Sequence, residues 1–180
     1  MDGHDTHRST TQHFVTAALD AGFASAFTDH VDTLRLAWRA CRERYPFTLT
    51  AGVILPDHLH CIVAIPVDDR HRAARWNLLQ ELFQHVVNRR SAGLALEAHP
   101  LTSEAEVERQ IDYIHADPVR HGFARSPRKW PYSSLHAYIE HGLRPVYWTG
   151  DVAGGYRGRE AGTRASVVRD ERGLHRANPA

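Results

Sequence analysis

The chain has 180 residues, of which 42% are hydrophobic, and its 22 basic and 21 acidic side chains give a formal net charge of +1. This length fits one domain with its own core, and so small a net charge is a weak argument for a nucleic-acid partner. No apolar run is long enough for a membrane span, the first residues do not resemble a signal peptide, and Cys41 and Cys61 lack metal-site spacing, so we expect a cytoplasmic protein with reduced thiols.

The first part of the chain alternates β-prone and amphipathic segments. Residues 1–12 are polar and predicted to be a flexible N-terminus, and residues 13–17 are predicted to form a strand. A helix should begin after Thr28 or Asp29, with apolar side chains three and four residues apart, and should end before Pro46.

A β-hairpin is predicted next. Residues 47–55 and 58–65 are rich in β-branched and other apolar side chains, and a Pro-Asp turn joins them. Because side chains alternate along a strand, His58 and His60 should point to the same face of the sheet.

The second part of the chain is predicted to hold an amphipathic helix over residues 70–90 and a short strand at residues 94–96. Ser103, with a glutamate three residues later, forms a capping box for a further helix, which should end at Asp117 because a proline follows. A short helix follows, and residues 149–180 are predicted to be a disordered basic tail.

This order of elements predicts an α+β fold. One antiparallel sheet should carry helices mainly on one face, in a ferredoxin-like arrangement. We place this domain at residues 13–148.

His58 and His60 are candidate metal ligands. Two neutral imidazoles at this spacing can bind one ion, and Asp57 can orient an imidazole by accepting a hydrogen bond. A hard divalent ion such as Mg²⁺ or Mn²⁺ would keep positions for phosphate oxygens. Two alternatives stay open: solvent-exposed histidines on an edge strand, and hydrogen-bonded core histidines.

Tyr113 and Asp117 lie one turn apart on the predicted helix. A carboxylate at a helix C-terminus is unfavourable unless a cation compensates it, which makes Asp117 the predicted third metal ligand. The same cation would favour the phenolate of Tyr113, a candidate nucleophile. Metal, tyrosine and carboxylate together predict cleavage of single-stranded DNA through a covalent phosphotyrosine. The alternative is a tyrosine that only packs against the sheet.

Two motifs resemble a known family. His58-Leu59-His60 resembles the HUH motif, in which a hydrophobic residue separates two histidines. Residues 113–122 (YIHADPVRHG) and 130–134 (WPYSS) resemble the signature of REP-associated tyrosine transposases, which belong to the insertion-sequence type of HUH single-tyrosine transposases. The resemblance covers about residues 45–148.

The resemblance implies a transposase that binds hairpins of repetitive extragenic palindromes. Such an enzyme needs a divalent metal, and it cleaves and rejoins single-stranded DNA at or near hairpins through a 5′-phosphotyrosine. It implies Tyr113 as the nucleophile and His58, His60 and Asp117 as ligands, with Asp117 where the family usually has asparagine. Relatives commonly carry a Trp-Gln pair in a segment before His99 that is shortened here. This departure supports an alternative, a domesticated hairpin-binding protein with weak or no cleavage activity.

Basic residues near helix ends are candidate DNA contacts, since arginine binds phosphate in a bidentate manner. Solvated helix ends account equally well for each cluster. The candidates are Arg70, Arg72, Arg75, Arg89, Arg90, Arg120, Arg128 and Lys129. Trp76 and Trp130 are candidates for base stacking. DNA binding would associate the protein with the nucleoid, as a monomer or a homodimer. A metal-dependent hydrolase with a water nucleophile is a third interpretation.

Overall fold

The computed structural model of the protein describes residues 9–19, 26–86 and 94–150. In chain order the described elements are β1 (Thr10–Leu19), α1 (Ala26–Asp29), α2 (Val31–Arg44), β2 (Thr48–Ile54), β3 (His58–Pro66), α3 (Arg72–Val86), β4 (Leu94–Pro100), α4 (Glu104–Arg120), a 3-10 helix (Pro127–Lys129) and α5 (Leu135–Glu140). None of the helices within these ranges is long and apolar enough to cross a membrane.

The four described strands form one sheet in the order β2-β3-β1-β4. Every neighbouring pair is antiparallel, and β3 lies in the interior, paired with β1 on one side and β2 on the other. This is the strand order of a ferredoxin-like sheet, so the predicted fold class is confirmed. The side chains of β3 are largely buried on both faces of the sheet, because a core lies on each face.

The two faces of the sheet carry different helices. Alternate residues of β3, beginning with Leu59 and Cys61, pack with apolar side chains of α1, α2 and α3. The opposite face, which includes Ile62, packs against α4 through Ile111 and Ile114. Three of the helices therefore cover one face, as predicted, while α4 lies alone among the longer helices on the face that carries His58 and His60.

Several boundaries differ from the predicted ones. β1 begins at Thr10, so the end of the segment predicted to be flexible belongs to the sheet, where Thr10 pairs with Pro66. β4 continues to Pro100 because its whole length pairs with β1. The predicted end of the 70–90 helix lies outside the described residues, as does the predicted tail over residues 149–180 from residue 151 onward.

The prediction that the tyrosine-bearing helix ends at Asp117 is wrong. The hydroxyl of Ser103 caps α4 as predicted, accepting a hydrogen bond from the Glu106 N–H at 3.2 Å, but the helix runs through Pro118 to Arg120. Proline removes only its own donor, and its fixed φ is compatible with a helix. The helical backbone hydrogen bonds continue after Pro118, since the His121 N–H donates to the Asp117 carbonyl at 3.0 Å.

Arg75 is a correction to the predicted DNA contacts. Its side chain is 2% exposed and forms an ion pair with Asp69, whose side chain is 6% exposed. The guanidinium also donates to the carbonyls of Tyr45 and Pro46, at 3.4 and 3.3 Å. Arg75 therefore joins α3 to the end of α2 from inside the protein, where a DNA phosphate does not reach it.

We expect Arg75→Met to destabilise the fold by about 3–5 kcal/mol, because the change leaves the Asp69 carboxylate buried without its partner. Urea unfolding measures the loss. Asp32→Ala, which removes an exposed ion pair with Arg35, should cost less than about 1 kcal/mol. Similar costs for the two variants would contradict a stabilising role for the buried pair.

The same pair predicts acid sensitivity. Burial opposes the charge of Asp69, but hydrogen bonds from Arg75 and the His71 backbone outweigh it and hold the pKa of the carboxyl below its ordinary value. The native state therefore binds this proton less readily than the unfolded chain does. The contribution of ionised Asp69 to the free energy of unfolding is complete above the pKa of the unfolded chain, near 4. It is lost as the pH falls through the lowered pKa of the native state.

Candidate metal centre

Strand β3 and the C-terminal end of α4 bring five polar side chains together. The Nε2 atoms of His58 and His60 lie 3.5 and 3.6 Å from the same carboxylate oxygen, Oδ2 of Asp117. The other oxygen, Oδ1, lies 3.4 Å from Nε2 of His121 and 3.4 Å from Arg120. The structure therefore brings both predicted histidine ligands to one oxygen of the third, Asp117.

His58 is oriented by its neighbour in the preceding turn. Its Nδ1 lies 2.7 Å from Oδ1 of Asp57, and because an ionised carboxylate only accepts hydrogen bonds, Nδ1 carries the proton. This leaves Nε2 directed at Asp117. Burial disfavours a charged imidazole here, but the contacts with Asp117 and Asp57 outweigh it and raise the pKa of His58 to about 9.

His60 is held by side chains of the neighbouring strand β1. Its Nδ1 lies 3.0 Å from the hydroxyl of Thr16 on β1, and its ring stacks on Phe14 with the centroids 5.3 Å apart. Burial lowers the pKa of His60 to about 3. The imidazole is therefore neutral, which is the form that binds a metal.

Asp117 is fully buried, yet it keeps its charge. Burial raises the pKa of a carboxyl, but the nearby imidazoles of His121 and His58 outweigh that effect and hold the pKa below the ordinary range. Among the described residues, Oδ2 has no hydrogen-bond partner, because 3.5 and 3.6 Å are too long for good hydrogen bonds. A buried charged oxygen without a direct partner is a candidate ligand for a metal cation.

The donors fit a divalent ion. Two atoms that each lie about 2.0–2.3 Å from one ion are roughly 2.8–3.8 Å apart, and the contacts of both histidines with Oδ2 fall in this range. Imidazole nitrogens with one carboxylate oxygen are also a common ligand set for divalent metals, and an ion bound here would displace the second proton of His58. The unsatisfied oxygen and the spacing together identify a candidate metal centre.

His121 is a member of the cluster that the sequence analysis missed. One ligand atom each from His58, Asp117 and His121 lie within 4.8 Å of one another. The signal was present in the sequence, since His121 follows Asp117 by four residues and therefore shares its helical face. The predicted end of the helix at Asp117 hid this relation.

Tyr113 lies beside the cluster but is buried. Its ring meets that of His60 edge-on, with the centroids 5.7 Å apart, and the guanidinium of Arg120 lies 4.1 Å from the ring centroid. The residue is 4% exposed. A phosphate reaches this tyrosine only after a covering side chain moves, and Arg120, which is about one third exposed, covers one face of the ring.

Two signature residues position α4. His115 is fully buried, and its Nε2 lies 2.9 Å from the hydroxyl of Ser134, which accepts a hydrogen bond from the Gly52 N–H of β2. Because burial lowers the pKa of His115 to about 3, its ring is neutral, and the tautomer of the ring sets which of Nε2 and the Ser134 hydroxyl donates. This chain of bonds ties α4 to β2 and so sets the position of Tyr113 and Asp117.

Among the predicted DNA contacts that the structure describes, Arg120 contacts this centre. Other predicted contacts are exposed at the start of α3 and on the 3-10 helix; these are Arg70, Arg72, Arg128 and Lys129. Arg89 and Arg90 lie outside the described residues. Of the predicted stacking residues, Trp76 is partly buried against the core between the sheet and helices α1 to α3. Trp130 donates from Nε1 to the Ile54 carbonyl at 2.8 Å.

A ferredoxin-like sheet with a His-x-His strand, next to a helix that carries a tyrosine and a carboxylate, is the arrangement expected of single-tyrosine HUH transposases. A REP-associated tyrosine transposase from Escherichia coli (strain K12) is 30% identical to this chain over 140 residues, which cover 77% of the chain and 85% of that protein. The chain therefore belongs to the family of REP-associated tyrosine transposases.

Two further comparisons agree. A relative from Haemophilus influenzae is 30% identical over 154 residues, with 77% of this chain and 88% of that protein covered. A solved structure of a REP-associated tyrosine transposase bound to a REP hairpin superposes with a TM-score of 0.74, at 28% identity, and covers 88% of this chain and 99% of that one. No protein-family model matches the sequence.

Proposed function

We propose that this protein is a metal-dependent single-stranded DNA endonuclease and strand transferase that cleaves at or near DNA hairpins through a 5′-phosphotyrosine. One observation carries the proposal: the two histidines of β3 and the carboxylate of Asp117 converge directly beside Tyr113. The family membership supports DNA as the substrate, since the solved relative holds a REP hairpin. Such a protein would act at the nucleoid, in the cytoplasm.

We assign the metal to His58, His60 and Asp117, with His121 at the edge of the cluster. Mg²⁺ and Mn²⁺ suit a site that also needs phosphate oxygens; when bound, such an ion polarises the scissile phosphate as a Lewis acid. The buried imidazoles and the second carboxylate, Asp57, exclude water and fix the donor atoms. They hold this geometry before DNA arrives.

Tyr113 would supply the nucleophile. Its hydroxyl loses its proton and attacks phosphorus, so that an oxygen–phosphorus bond forms to the tyrosine while the bond from phosphorus to the 3′ oxygen breaks. The 3′ oxygen gains a proton and leaves as a free hydroxyl. Rejoining reverses the exchange, since a 3′-hydroxyl attacks the phosphotyrosine. Arg120, beside both Tyr113 and Asp117, would contact the phosphate.

One observation favours a second candidate, a hairpin-binding protein with weak or no cleavage. Tyr113 is 4% exposed and packs among Phe14, His60 and Arg120, as a purely structural tyrosine would. The shortened segment before His99 fits the same alternative.

A labelled hairpin oligonucleotide with single-stranded flanks, incubated with the protein and Mn²⁺, separates these functions. An adduct that survives denaturation supports the transferase. Binding without cleavage supports the hairpin-binding protein. Cleavage without an adduct would transfer the nucleophile role from Tyr113 to water. Chelation of the metal should abolish the adduct and leave binding intact.

We expect His60→Asn to weaken Mn²⁺ binding more than His121→Asn. His60 faces the unsatisfied oxygen of Asp117, whereas His121 shares the other oxygen with Arg120. Loss of a neighbour outside the ligand set costs about 10–100-fold in affinity, so the His60 variant should lose at least about 100-fold by calorimetric titration. A larger loss in the His121 variant would move the site to His58, Asp117 and His121.

A further inference from the structure

Aromatic rings form a row that leads away from the metal centre. The ring of Phe123 stacks on His121 with the centroids 6.1 Å apart, Trp130 lies 5.7 Å from Phe123, and Tyr132 lies 5.8 Å from Trp130. Phe123 is 40% exposed. The proposed chemistry at the metal centre does not use Phe123, Trp130 or Tyr132.

The row is fixed to the outer edge of β2. The Trp130 indole donates to the Ile54 carbonyl at 2.8 Å, and the Ile54 N–H donates to the Tyr132 carbonyl at 2.9 Å. The Ser134 N–H donates to the Gly52 carbonyl at 2.8 Å. Residues 130–134 therefore run along the outer edge of β2, where Trp130 packs on the face that carries α4 and Tyr132 borders a cavity on the face that carries α2.

A cavity of about 390 Å³ lies where this segment ends, between β2 and α2. Trp38, Leu49 and Tyr132 give it an apolar lining, and its volume is that of a small-molecule site. Three arginines of α2 border it. Arg35, Arg39 and Arg42 are spaced by four and three residues, so that they form one exposed stripe along the helix.

The row of rings leads to an apolar cavity that arginines border, and this combination suits single-stranded nucleic acid. Bases stack on exposed rings whatever their sequence, while the phosphates need a row of cations. The chain's own residues 151–180 carry more arginines than carboxylates, so that segment does not complement the stripe.

We propose that the single-stranded flank of a DNA hairpin follows Phe123, Trp130 and Tyr132 around the edge of β2 and places a base in the cavity beside α2. Arg39 and Arg42 bind the phosphates of this flank, and Arg35 extends the stripe. The proposal rests on the proposed DNA function and adds a binding path outside the metal centre.

The test compares two fluorescent oligonucleotides, a blunt DNA hairpin and the same hairpin with single-stranded flanks of about eight nucleotides. The ratio of their dissociation constants, from anisotropy, isolates the contribution of the flanks. Phe123→Leu keeps an apolar side chain and removes the ring, and Arg39→Ala combined with Arg42→Ala removes two cations. Arg44→Ala, an exposed arginine of the same helix that does not border the cavity, is the matched control.

The wild type should bind the flanked hairpin more tightly, and Phe123→Leu should reduce that gain at least about fivefold. The double variant should lower the salt dependence of flanked binding by a logarithmic slope of about 1.4, since each single-strand phosphate contact contributes about 0.7. Neither change should alter blunt-hairpin binding, and Arg44→Ala should alter neither oligonucleotide.

A wild type that binds the blunt hairpin but gains nothing from the flanks would overturn this proposal and leave the proposed function intact. The proposal would also be overturned if Phe123→Leu and the double variant lost the same affinity for both oligonucleotides. An equally large loss of affinity in Arg44→Ala would overturn it too. A wild type that binds neither oligonucleotide would overturn the proposed function and this path together. Thermal unfolding of each variant confirms that the exposed substitutions leave the fold unchanged.

Discussion

Tyr113→Phe is expected to bind hairpin DNA like the wild type and to form no covalent adduct with it. The substitution removes one oxygen atom and keeps the ring that packs against Phe14 and His60, so the fold and the metal centre should persist. Loss of a nucleophile lowers the rate by at least about a thousandfold. Denaturing electrophoresis of labelled oligonucleotide with Mn²⁺ measures the adduct directly.

Tyr147→Phe is the matched control, because Tyr147 is largely exposed and removal of its hydroxyl changes the chain by the same atom. This variant should form the adduct at the wild-type rate. Adduct formation by Tyr113→Phe would show that another hydroxyl is the nucleophile, and Tyr132 and Ser133 would be the first to substitute.

Asp117 should tolerate asparagine far better than alanine. Asparagine keeps an oxygen ligand but removes the charge, so Mn²⁺ affinity should fall about tenfold. A less neutralised ion is a stronger Lewis acid, so cleavage at saturating metal should persist or rise. Alanine removes the ligand, and both metal affinity and cleavage should fall by at least about 100-fold. Metal titrations of binding and of adduct formation separate the two effects.

Glu104→Gln provides the control for charge alone, since Glu104 is exposed at the first turn of the same helix. It should leave metal affinity unchanged. Equal metal affinity in the wild type and both Asp117 variants would mean that Asp117 is no ligand, and that the buried carboxylate only balances the charge of His58.

The strands and the histidine pair were predictable because their signals are local. Alternation along β3 is a property of any strand, so the side chains of His58 and His60 could be placed on one face before the fold was known. The same alternation directs Leu59 and Cys61 to the other face of the sheet. In the structure both lie in the core on that face, under α1, α2 and α3. The order of the elements then indicated the ferredoxin-like sheet.

Other features depend on contacts between distant parts of the chain. Arg75 looked like a basic residue at an exposed helix start, but its partners come from the preceding loop and from the end of α2. The run of α4 through Pro118 rests on packing against β2 and β3, which no local rule contains. His121 became recognisable as a neighbour of Asp117 only once that helix was known to continue.

The wrapping of β2 by residues 130–134 also bears on self-association. An edge strand presents unpaired backbone groups that can recruit a strand from another molecule, a route to sheet extension and aggregation. Here the outward groups of Gly52 and Ile54 are already taken by Ser134, Tyr132 and Trp130. Two copies of the chain therefore cannot join their sheets through this stretch of β2, and a dimer that extends the sheet has to use a different edge.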